Sequence, residues 1–125
     1  MVTIGPDGLS DAVQAALEEY GDLAKEATRD TVRKVAKTCR QEIRAASPRR
    51  TGRYAKGWRL KETAALNGDL TETVYNAAAP GLTHLLENGH AKVDGGRVEG
   101  HAHIAPAERQ AEANLLEGLE RELSL

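Results

Sequence analysis

The chain has 125 residues, which fits one domain of ordinary size, residues 1–125, and leaves no room for a second independent core. Hydrophobic residues make up 40% of it but aromatic ones only 3%, with Trp58, Tyr20, Tyr54 and Tyr75 and no Phe, so the core has to be aliphatic and thin. A formal net charge of -2 excludes whole-molecule attraction to nucleic acid or to an acidic membrane.

No stretch approaches the roughly 18 to 20 apolar residues of a membrane-spanning helix, and the start lacks the basic-then-apolar pattern of a signal peptide. The sequence therefore reads as a soluble protein made and kept in the cytosol. Its single cysteine, Cys39, cannot form an internal disulfide and falls at a helical apolar spacing, as a small buried hydrophobe does.

Residues 10–46 read as one long helix, because Val13, Leu17, Tyr20, Ala24, Ala27, Val32, Val35, Cys39 and Ile43 recur at spacings of three to five. Ser10 or Asp11 is placed to cap its start with a side-chain oxygen on an unpaired backbone N–H, and Leu9 to pack back as a staple. Pro48 ends it by pushing Ser47 away from helical angles. Gly21, worth about 1 kcal/mol less than Ala in a helix, is where it would kink or break. Such a helix is roughly 50 Å long, whereas a compact domain of this size is only about 35 to 40 Å across. The helix overhangs its domain, and part of its apolar face is expected to meet another subunit.

After a basic turn at residues 47–57, Trp58, Leu60, Glu62 and Ala64 alternate with Arg59, Lys61 and Thr63. Leu70, Glu72 and Val74 then alternate with Thr71, Thr73 and Tyr75. Asn67-Gly68 between the two runs predicts a β hairpin, since these residues tolerate the positive φ of a tight turn. Glu62 and Glu72 both fall on the apolar phase, so one end of the hairpin is expected in solvent or at an interface. Trp58, Tyr54 and Tyr75 are expected to pin the hairpin to the long helix. Pro80 opens a short helix with Leu82, Leu85 and Leu86 as a buried stripe, stopped by Gly89. A glycine-rich loop over residues 89–100 leads to a short strand at residues 101–104. Pro106 starts a last helix with Ala107, Ala111, Leu115, Leu119 and Leu123 every four residues. The fold class is α+β, a long N-terminal helix and a C-terminal helix packed on a small antiparallel β-sheet.

Several segments occur in a recognisable order: Ser47-Pro48-Arg49-Arg50-Thr51-Gly52-Arg53-Tyr54, then Trp58, Val74-Tyr75-Asn76, and Leu82-Thr83-His84-Leu85-Leu86-Glu87-Asn88-Gly89-His90. Gly95-Gly96-Arg97-Val98 and His103-Ile104-Ala105-Pro106-Ala107 follow. Together they resemble the HK97 gp10-like family of tailed-bacteriophage proteins, described as tail-component, neck or tail-completion proteins. The resemblance covers roughly residues 9–120 and rests on the ordered set, since the Pro-x-x-Thr-Gly turn alone occurs in several phage neck and tail families. It implies a structural virion protein at the head-tail junction, assembled in the host cytoplasm. The expected form is a homo-oligomeric ring, a hexamer with a dodecamer as the alternative, which joins the head-closure or connector protein to the tail-tube or tail-terminator protein. It implies no enzymatic activity, no cofactor and no membrane.

Residues 40–61 hold eight basic side chains against Glu42 alone, a local charge of +7 that leaves -9 on the rest of a chain whose total is -2. Some of these cations complement the negative end of the helix dipole or solubilise a turn. As a functional patch they would meet DNA in a ring lumen or the acidic face of a neighbouring protein. The protein neighbour is favoured, because the rest of the chain supplies acid to a copy of itself. Arg49, Arg50, Arg53, Lys56 and Arg59 are the candidate contact residues in this window, and Lys92, Asp94 and Arg97 those of the glycine-rich loop, which is expected to be mobile and to order when a neighbour docks. That loop lacks the Gly-Lys-Ser/Thr ending of a phosphate cradle.

Four histidines form two pairs, His84 with His90 and His101 with His103. On a strand, His101 and His103 would share a face and would suit zinc or nickel given a third ligand. His84, Glu87 and His90 follow neither the His-Glu-x-x-His spacing of metalloproteases nor a nuclease pattern, so the histidines are expected to cap the short helix and bond the loop, with no metal and no catalytic set. The alternatives to the assembly role are a nucleic-acid-binding module built on the 40–61 window and a metal-dependent hydrolase built on the histidines.

Overall fold

Helix α1 spans Asp11–Ala46 without interruption, Gly21 included, in the computed structural model, which describes residues 2–4 and 11–123 and the side chains of residues 25–123. Its 36 residues make it about 54 Å long. Val32, Val35, Cys39 and Ile43 are buried as their spacing predicts, Ala36 is buried beside them, and Ala27 packs at the edge of the core. The expected cap at Ser10 or Asp11, the Leu9 staple and the apolar positions Val13, Leu17, Tyr20 and Ala24 lie outside the described side chains.

Strands β2 (Trp58–Ala64) and β3 (Leu70–Asn76) form the predicted hairpin, in a register that runs from Trp58 opposite Asn76 to Ala64 opposite Leu70. The connection is closed by the Ala65 N–H on Asp69 O at 2.8 Å. Gly68 takes the positive φ, 91°, for which its residue type is suited. Arg29 of α1 donates through Nε and Nη2 to Gly68 O at 3.0 and 2.8 Å, and so ties the hairpin tip to the helix.

A third strand, β1 (Val2–Ile4), pairs antiparallel with the far side of β3, Val2 opposite Val74 and Ile4 opposite Glu72. At three residues it is too short to leave a periodic signal in the sequence. The sheet order β1-β3-β2 makes β3 central, and every second residue of it, Leu70, Glu72, Val74 and Asn76, is buried. This corrects the expectation for the acidic end of the hairpin. Glu62 on the edge strand is exposed, but Glu72, on the same face of the central strand, is only 2% exposed.

One turn of helix, α2 (Arg53–Lys56), leads into β2, and a one-turn 3-10 helix at Pro80–Leu82 leads into α3 (Thr83–Asn88). The α3 segment lies on the surface: Leu86 packs against the core, Leu85 is half-buried and Leu82 is 46% exposed, so the expected buried leucine stripe is only partly formed. The glycine-rich segment is a second hairpin, β4 (Gly89–Ala91) with β5 (Arg97–Glu99), rather than an open loop. Residues 101–104 are not a strand but a turn into α4 (Ala105–Leu123). Helix α4 buries Ala107, Ala111, Leu115, Leu119 and Leu123 along α1. Ala107 lies against Cys39, and a Cβ at Gly118 would stand 2.8 Å from Thr31 Cγ2, so the two helices run antiparallel and close. The α+β architecture of two helices on a small antiparallel sheet is the one expected. No described helix is long and apolar enough to cross a membrane.

Candidate functional site

Several residues of the segments that carry the family resemblance meet where α1, α2, β3, α3 and α4 come together. Ser47, the last residue before the helix-ending proline, donates Oγ–H to Ile43 O at 2.6 Å and accepts the Trp58 indole N–H at 2.8 Å. One hydroxyl thus closes the helix end and satisfies a buried indole. Asn76 Nδ2 donates to Tyr54 O at 2.8 Å, while Asn76 Oδ1 accepts the N–H groups of Ala78 and Ala79. Gly57 lies so close beneath them that a Cβ there would stand 2.5 Å from Ala78 Cβ. Ser47→Ala is expected to cost about 1 to 3 kcal/mol, because it strands the indole donor in the core. The urea midpoint of the variant against wild type measures this.

His103 is fully buried, with Tyr54 and Trp58 edge-on to its ring at centroid distances of 5.5 and 6.2 Å. Its Nδ1 faces two acceptors, His101 O at 2.7 Å and Glu87 Oε1 at 3.0 Å, so the proton sits on Nδ1. Its Nε2 therefore accepts the Tyr54 hydroxyl at 2.6 Å. Burial pushes Tyr54 up to about 12, which keeps that donor protonated. Glu87 accepts the backbone N–H groups of His103 and Ile104 on Oε1 and of Ala105 on Oε2, at 2.8 to 2.9 Å. Burial alone would raise its pKa, but the three backbone donors outweigh burial and hold the carboxyl below its ordinary value. A side chain of α3 thereby caps the N-terminus of α4 and fixes the turn between them.

With both ring nitrogens occupied, His103 holds structure together. His101 is exposed, stacks on His103 and reaches Ala46 O through Nε2 at 2.8 Å. His84 and His90 are exposed, and in place of the expected caps on the short helix His101 and His103 brace the start of α4. Burial pushes the Cys39 thiol up to about 11, as expected of a packed cysteine. The described residues contain no group of three or more His, Cys, Asp or Glu able to hold a metal ion. In the sequence Glu87 stands out only by lying between His84 and His90. The signal that identifies it is an acid in the last turn of one helix, ahead of a proline that opens the next.

The candidate contact residues lie elsewhere, on the surface. Arg49 follows α1 and donates to Arg44 O, Arg53 on α2 donates to Ala78 O, and Arg59 donates to Lys56 O, so three of the cations are braced by carbonyl groups while their charge stays exposed. Arg50 and Lys56 are exposed as well. None of these five forms an ion pair among the described residues. Lys92, Asp94 and Arg97 lie on the β4–β5 hairpin, which rests on α3. The hairpin base is closed by backbone packed on backbone: a Cβ on Gly89 would stand 2.4 Å from Val98 O. Its tip presents a fully exposed Val93. Tyr75, expected in the core, is half-buried and lines a groove of about 500 Å³ with Pro80, His84, Ile104 and Glu108.

A family model described as "Bacteriophage HK97-gp10, putative tail-component" matches residues 11–89, well over half of the chain. No curated protein and no solved structure gives a significant match.

Proposed function

Because this chain belongs to the HK97-gp10-like family of bacteriophage tail components, we propose that it is a neck or tail-completion subunit that forms a ring at the head-tail junction. Membership carries a structural role in the phage tail and a place in the virion, among other tail and head proteins. The finer reading has the whole chain, residues 1–125, act as one domain in a homo-oligomeric ring between the head-closure or connector protein and the tail-tube or terminator protein. A hexamer is the expected order, with a dodecamer as the alternative. Interface burial and charge matching, rather than chemistry, are its mechanism.

One observation carries this reading. Helix α4, with 19 residues, is about 28 Å long and α1, with 36, about 54 Å, so α4 can flank only about half of α1. The remaining length asks for a partner. Arg49, Arg50, Arg53, Lys56 and Arg59, together with Lys92, Asp94 and Arg97, are the surface residues proposed to meet the next protein. The exposed cations without ion pairs also support a second reading, in which the 40–61 window touches DNA in the lumen through phosphates alone. Light-scattering mass of the purified chain across a wide concentration range tests the ring: a multiple of the monomer mass is expected, and a monomer at the highest concentrations would reject it.

A further inference from the structure

The charge of α1 reverses along its length. Residues 11–24 hold Asp11, Glu18, Glu19 and Asp22 and no Lys or Arg, whereas residues 25–46 hold seven basic side chains against three acids. The reversal follows one line of the helix. Asp11, Glu18 and Asp22 are succeeded, at intervals of three, four or seven residues, by Arg29, Arg33, Lys37, Arg40 and Arg44, and such intervals return to the same side of a helix.

The structure puts the basic part of this line on the flank beside β2, where Arg29 holds the hairpin tip and Arg33 Nε donates to Glu62 Oε1 at 2.7 Å. Beyond Arg33 the acids run out. Lys37 and Arg44 are exposed without an ion pair among the described residues, and Arg40 Nε is buried with no hydrogen-bond partner. Arg53 and Lys56 carry the positive charge on past the end of the helix.

We propose that this basic flank receives the acidic N-terminal part of α1 from a second copy, head to tail, so that each copy gives its acidic half to one neighbour and its basic flank to the other. The proposal rests on the ring reading above and names the contact that builds the ring. Charge complementarity selects the occupant: the same helix carries the acid that its own basic half lacks, on the same helical line. A contact between two different patches closes into a ring when the rotation allows it. The ion pairs set register and partner.

Charge exchange in the full chain tests this. An acid-reversed variant (Asp11→Lys, Glu18→Lys, Asp22→Lys) and a base-reversed variant (Lys37→Glu, Arg44→Glu) are each expected to associate at least about tenfold more weakly than wild type, with helix content and melting retained. Mixing the two, or combining all five changes in one chain, is expected to restore assembly, since opposite charges then face each other again. Assembly of each variant at wild-type strength overturns the proposal and leaves the ring reading intact, as does loss that neither the mixture nor the combined chain repairs. A wild-type chain that stays monomeric sinks both. A base-reversed variant that assembles normally but loses salt-dependent binding to a DNA duplex assigns the flank to DNA and overturns the proposal.

Discussion

Glu87→Gln is expected to destabilise the protein by about 2 to 4 kcal/mol, the largest loss anticipated from a single partly exposed side chain. Its two oxygens serve three backbone N–H groups that α4 and the turn before it cannot pair internally, and the same oxygen that serves two of them also faces His103 Nδ1. An amide presents a donor to these donors and removes the negative charge that favours a helix N-terminus. The effect has a pH signature. The folded chain holds Glu87 below the ordinary carboxylate value, so the stability it contributes is complete above about 4.5 and is lost as pH falls through the lower folded value. Urea midpoints at pH 7 and pH 4 read this: the variant should be weaker at pH 7, and the gap should narrow in acid. Equal midpoints at pH 7 would mean that the three backbone donors find other partners and that Glu87 does not hold α4.

How much of this was legible in the sequence depends on which residues spoke periodically. The long helix, the first hairpin and the last helix each carry their apolar positions at regular intervals over seven or more residues, and each is found where the spacing puts it. Strand β1 has three residues and no alternation to read. The β4–β5 hairpin looked like a loop because its glycines suit turns. Two of them, Gly89 and Gly100, instead let two backbones touch, a tertiary fact with no local signal. The expected strand at residues 101–104 is absent because Glu87, 16 and 17 residues earlier in the chain, takes the His103 and Ile104 backbone donors that a strand would have paired with a neighbour. The junction of Ser47, Tyr54, Trp58, Asn76, Glu87 and His103 was visible only as an ordered set of residues that matched a family. That its members touch one another is what the structure adds: each satisfies a buried polar group that another exposes.

The second large effect runs the other way: Glu72→Gln is expected to stabilise the protein at pH 8 by about 1 to 3 kcal/mol. Glu72 is 2% exposed on the central strand, directly opposite Glu62, and its Oε2 has no hydrogen-bond partner. Burial first, and then the facing Glu62 carboxylate, push Glu72 up to about 7. Glu62 itself is held below its ordinary value by the Arg33 guanidinium, so the pair shares one negative charge, which sits on the exposed partner. The folded chain keeps the Glu72 proton to about pH 7, whereas the unfolded chain releases it near 4.5. Folding therefore binds a proton in that interval, and stability falls as pH rises from about 4.5 to 7 and levels off above. The amide keeps the donor that protonated Glu72 supplies and has no charge to bury, so the variant's urea midpoint should stay flat where that of wild type declines. Arg33→Gln should do the reverse, because removing the cation leaves two facing carboxylates to repel each other and moves the Glu72 titration further up. A wild-type midpoint that does not decline between pH 5 and pH 8 would show that water reaches this carboxyl in the folded chain. Glu87 thus costs the fold stability only in acid and Glu72 only as pH rises toward 7, two carboxyls whose surroundings pull them in opposite directions.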